Sequence, residues 1–157
     1  MGKSGENIKR TRKRGKMKQK TASIKNFDFE GKNQPVTFIE TMHITDGVDC
    51  DVYIFDDDKF KDLGIIKIKP GYKTPLQKVL KGDSTIEGYI SGKGKLTVTR
   101  MNGEKKVYEV GDATEKPFSV KVRVSELMQW EASGDSDLTA YEICFPPYED
   151  GRYENIK

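Results

Sequence analysis

Between residues 26 and 147 the chain nowhere sustains an apolar pattern of helical period. Short β-prone runs are instead cut by turn residues at intervals of about ten. Residues 35–42, 51–55, 63–69, 87–91, 96–99, 106–110, 118–124, 128–132 and 138–145 read as strands. In residues 118–124, Phe118, Val120, Val122 and Val124 alternate with Ser119, Lys121 and Arg123, so one face is apolar and the other wet. Pro70-Gly71, Gly92-Lys93-Gly94, Gly111-Asp112 and Pro146-Pro147 supply the breaks, and Asn102-Gly103 is the strongest two-residue hairpin signal in the chain. This cadence predicts an all-β sandwich or barrel, and closure would remove the edges that so many short strands otherwise expose.

The charge is unevenly placed. Residues 1–25 hold ten Lys and Arg against one acid, Glu6, so the overall +3 hides a cationic arm on an acidic body. With few apolar residues and no period, the arm is expected to be disordered. Its basic positions, residues 3–25, suit an electrostatic grip on nucleic acid, although no aromatics interleave to stack on bases. No apolar run approaches the roughly 20 residues that span a bilayer, and no apolar segment follows the basic stretch as in a secretory signal. A soluble cytoplasmic protein without a membrane partner is therefore expected.

One histidine and two cysteines narrow the chemistry further. A multi-histidine metal centre is excluded, as is a disulfide framework. His43 reads as a surface or hydrogen-bonded histidine. Asp56-Asp57-Asp58 reads as a charged turn, since it lacks the alternating acids and terminal glutamate of a calcium loop. Cys50 and Cys144 read as structural thiols.

The stretch from Leu63 to Pro147 resembles the cupins, small double-sheet jelly rolls. Gly71, Gln77-Lys78-Val79, Glu87 and Gly94 follow the outline of that family's first motif, whereas Gly111, Pro117 and Met128 follow the second. The resemblance implies a double-stranded β-helix or jelly-roll barrel, over residues 26–157 as a single domain behind an arm of residues 1–25. It also implies a homodimer, because cupins often pair through their sheets. Where the family places metal-binding histidines, this chain has Gln77, Val79 and Met128, so it is expected to be a divergent, metal-free member without a cofactor. An amide, an alkyl group and a thioether are poor donors for a divalent first-row ion.

By strand alternation, an inward Glu87 carries Tyr89 and Ser91 inward with it, Gln77 shares that interior with Val79, and Met128 with Trp130 closes another wall. These side chains compose either a pocket for a small polar or carbohydrate-like ligand or simply the filled core of a small barrel. Binding without turnover is the leading expectation. An isomerase or epimerase using Glu87 and Tyr89 for proton transfer is one alternative, and a nucleic-acid-associated scaffold acting through the arm is another. The run after Pro146-Pro147, with Tyr148 and Tyr153 as apolar anchors, is expected to lie across the barrel or a second subunit.

Overall fold

A computed structural model describes residues 23–148 and 151–156. These contain strands and turns only: β1 (Asn26–Phe29), β2 (Lys32–Thr45), β3 (Val48–Phe55), β4 (Asp58–Ile68), β5 (Leu76–Val79), β6 (Ser84–Ser91), β7 (Gly94–Thr99), β8 (Lys105–Val110), β9 (Ser119–Arg123), β10 (Leu127–Ala132), β11 (Leu138–Phe145) and β12 (Tyr153–Ile156). They form two antiparallel sheets, β1-β2-β3-β4-β11-β6-β9 and β12-β5-β10-β7-β8. The all-β jelly roll expected from the strand cadence is what forms.

Two apolar clusters follow from the period-two patterning. Leu96, Val98, Met128, Trp130, Leu138 and Ala140 belong to the interior cluster between the sheets. Tyr53, Phe55, Leu63, Ile65, Tyr141 and Ile143 point to the opposite face of the larger sheet, where Phe29 and Val36 complete a second cluster. Strand β1 lies four places from β11 in the sheet order, yet the Phe27 and Tyr141 rings meet edge to face at 5.0 Å. The β1–β2 hairpin therefore folds back over the sheet's outer face and shields what would otherwise be an exposed apolar patch. Gly88 makes room for this cluster, because a Cβ there would fall inside the Tyr141 ring.

The sequence reading missed β1, β5 and β12 as strands, each only four residues long. The Asn102-Gly103 turn is real but longer than expected. Arg100 and Glu104 close a loop around Met101, Asn102 and Gly103. The Asn102 side chain accepts from Glu104 N–H at 2.9 Å, and Gly103 takes the left-handed φ of 89°. Ser91 is corrected as well. A register shift between Thr139 and Ala140 breaks the alternation, so Tyr89 is buried while Ser91 faces solvent. Ile24 N–H already donates to the Tyr53 hydroxyl at 3.2 Å, and Lys25 O accepts from Val36 N–H at 3.0 Å, so contact with the body begins just before β1. The basic arm is expected over residues 1–25, and of these residues 1–22 lie outside the described residues. Among the described residues, no helix is long and apolar enough to cross a membrane.

Candidate functional site

Strand register sets one row of side chains across the inner face of the large sheet. Glu40 lies opposite Val52, Val52 opposite Gly64, Gly64 opposite Glu142, and Glu142 opposite Glu87. Directly opposed residues of an antiparallel pair share a face, so two glutamates meet side by side in the interior. Asp62 and Cys144, themselves opposed, stand two residues along the same strands and share that face.

Around the row is a cavity of about 560 Å³. Its apolar walls come from Met42, Ile44, Val48, Val52 and Ile66, with Ile39 and Ile54 at the exposed rim. Its polar lining is Glu40, Asp62, Glu142, Thr74 and Gln77, joined by Tyr148 and Tyr153. The two tyrosine rings lie 5.8 Å apart. The run after Pro147 thus lies across its own barrel, where β12 pairs with β5. Arg152 fastens it: the fully buried guanidinium donates to Pro146 O at 2.7 Å, Ser84 O at 2.7 Å and Phe145 O at 3.1 Å. The Tyr153 hydroxyl sits 3.1 Å from Cys144 Sγ and 3.2 Å from Thr85 Oγ1.

The electrostatics follow from burial among like charges. Glu87 is 1% exposed; one oxygen accepts from Trp130 Nε1 at 2.8 Å, and the other, Oε2, is buried without a hydrogen-bond partner. Burial first, then the neighbouring Glu142 carboxylate, push its pKa well above the usual glutamate value. Burial and the charge of Glu142 also raise Asp62 to about 6, although its carboxylate accepts from Tyr148 N–H at 2.9 Å. Cys144 is pushed up by burial and then by Glu142 and Asp62, which leaves an inert thiol.

Of the six residues expected to form a pocket, only Gln77 lines the cavity, with its amide donating to Asn155 Oδ1 at 3.2 Å. Val79, Tyr89, Met128 and Trp130 fill the adjacent core, and Glu87 lies behind Glu142. The Tyr89 hydroxyl donates to Gly92 O at 2.7 Å, which commits the proton that an isomerase would use. Sequence reasoning missed Asp62 and Glu142. The signal was there in residues 138–145, where Ala140, Glu142 and Cys144 form a thin, partly polar face opposite Tyr141, Ile143 and Phe145.

The metal positions implied by the cupin resemblance do not fit an ion. Val79 offers no donor, Met128 is buried among apolar groups, and Glu87 is buried and already accepts from Trp130 Nε1. His43 is 68% exposed and pairs with Asp49 at 3.1 Å, far from these positions in register. Among the described residues, no group of three or more His, Cys, Asp or Glu is placed to hold a metal.

No protein-family model matches the chain, and no curated protein does. Solved structures do. CapF from Staphylococcus aureus, a capsular polysaccharide assembling protein, superposes with a TM-score of 0.59 at 16% identity, over 78% of this chain and 34% of that one. An oxalate decarboxylase from Lactobacillus farciminis, solved as a formate complex, gives 0.59 at 14% identity over 73% and 32%. Its Bacillus subtilis counterpart gives 0.54 at 20% identity over 68% and 28%. The chain spans about a third of the length of these proteins. The shared architecture is the cupin fold.

Proposed function

We propose that this cupin-fold domain binds a small polar, hydroxyl-bearing ligand in its interior and does not turn it over. The observation that carries this reading is the cavity itself, about 560 Å³ beside an otherwise filled core, with apolar walls and a polar end. Ligand sites have that composition: apolar walls supply most of the contact, and a few convergent polar groups fix orientation. Here Gln77, Thr74 and the carboxylates accept or donate to hydroxyls, and Tyr148 with Tyr153 offers ring faces to a carbohydrate-like ring. Binding is preferred over catalysis because the proton-transfer candidates are both committed, Glu87 to Trp130 and Tyr89 to the Gly92 carbonyl. Cys144 is too well protonated to act as a nucleophile.

The test is methyl NMR of the full chain titrated with a panel of neutral monosaccharides and hexosamines. Shifts concentrated at Ile44, Val48 and Ile66, and weakened by Gln77→Ala, are expected. Failure of every compound to move those methyls would overturn the reading. Incorporation of solvent deuterium into a bound sugar would replace it with an isomerase.

A further inference from the structure

Three carboxylates line the cavity, and among the described residues that line it there is no lysine, arginine or histidine. Asp62 and Glu142 are the two whose positions bear most directly on a ligand. They sit on adjacent strands of one inner face, in register with Ile54 and Val52 and next to Ile66. Beside Glu142 on the neighbouring strand, Glu87 is buried outside the cavity lining and accepts from Trp130 Nε1. Arg152 donates its guanidinium to three backbone carbonyls, and its charge only partly offsets the rise at Asp62.

We propose that the ligand is an organic cation, with an ammonium group held by Asp62 and Glu142 and its body against Val52, Ile54 and Ile66. The inference rests on the interior-binding reading above and deepens it by fixing the sign of the ligand's charge. An anion entering this space meets like charge at reduced dielectric, where repulsion between neighbours a few ångströms apart exceeds its value in water several-fold. A neutral hydroxyl satisfies a carboxylate oxygen but leaves the negative charge in place. An ammonium group does both, donating three hydrogen bonds and offsetting one of the pair's two negative charges. The tyrosine rings at the same end, Tyr148 and Tyr153, add the negative faces of their π-systems to the same preference. The raised pKa of Asp62 is caused first by burial, and the Glu142 charge adds to it against the pull of the Tyr148 N–H and Arg152. A cavity of this lining selects against small carboxylates such as the formate found with the Lactobacillus farciminis enzyme.

The experiment compares glucosamine, glucose and glucuronate on the full chain at neutral pH by the same methyl NMR, since the three share a ring and differ in charge. Glucosamine is expected to bind at least tenfold more tightly than glucose, with glucuronate weakest. Glu142→Gln and Asp62→Asn should each reduce the preference for glucosamine over glucose by about tenfold. Asn at position 62 keeps an acceptor for Tyr148 N–H, so that variant separates charge from folding. Glucose binding as tightly as glucosamine, or a preference that survives both substitutions, would overturn the charge assignment and leave the interior-binding reading standing. Silence from all three sugars would overturn both.

Discussion

On one side of the barrel interior Leu96, Val98, Trp130, Leu138 and Ala140 are each 2% exposed or less. On the other, Ile44, Val48, Cys50 and Ile66 wall a cavity of about 560 Å³. The filled side belongs to the strands that carry the cupin-like motifs; the hollow side is built from β2, β3, β4 and β11, and β12 closes it. The contrast is one of side-chain volume and charge. Trp130 fills the first side and spends its N–H on Glu87. In the second, Gly64 contributes no side chain to the middle of the row, and Glu142 brings a carboxylate beside Asp62 and Glu87. The same fold thus holds a tightly filled region and a receptive one side by side, and the two should respond differently to perturbation.

The largest difference is expected from Trp130→Ala. It removes the largest fully buried side chain and strips Glu87 of its hydrogen-bond donor, a loss of about 3–5 kcal/mol in urea denaturation. A cost below about 1 kcal/mol would mean that this side collapses around the gap and that the contrast is false.

The pH dependence comes next. Asp62 titrates near 6 in the folded protein against an ordinary value of 3.8; burial and Glu142 raise it, while the Tyr148 N–H and Arg152 pull the other way. The folded state holds a proton that the unfolded chain releases, so stability falls as pH rises from about 4 to about 6, by at most about 3 kcal/mol. Glu87, also raised, adds to the slope with the same sign, while Asp58, lowered by its hydrogen bonds to Lys61 and Phe60, opposes it at the acid end. Thermal melts across this range should flatten in Asp62→Asn. An equally steep profile in that variant would move the effect elsewhere.

The smallest test adds one methylene to each side. Val98→Ile overfills a site that is 0% exposed and should cost about 1–3 kcal/mol, whereas Val52→Ile, at the cavity wall, should stay within about 0.5 kcal/mol of the parent. Equal costs in chemical denaturation would erase the distinction between the two sides.

The alternation of residues 118–124 and the strong β-propensity of residues 138–145 were legible because a half-buried strand writes its period directly into local sequence. Strand β1 was not, since Asn26–Phe29 is too short to show a period, and its positive-φ turn at Glu30 and Gly31 lacks the Asn-Gly or Asp-Gly signature. Gln77 and Glu87 could be placed inside the barrel from motif spacing. The meeting of Glu87 with Glu142, fifty-five positions later, could not, because it depends on a strand register that is settled only when the sheet assembles. The cavity was illegible for the same reason: a void is a property of what faces what across strands, whereas sequence patterning reports only which side chains turn inward.

Strand β2 serves both apolar regions. Val36 and Phe38 belong to the outer cluster, and after one register shift between Phe38 and Glu40 the same strand lines the cavity with Glu40, Met42 and Ile44. Ile39, at that irregularity, stands half exposed on the rim. A single continuous backbone therefore joins the outer apolar cluster to the rim of the opening, so the hairpin that covers the barrel's outside and the residues that border the cavity belong to one strand.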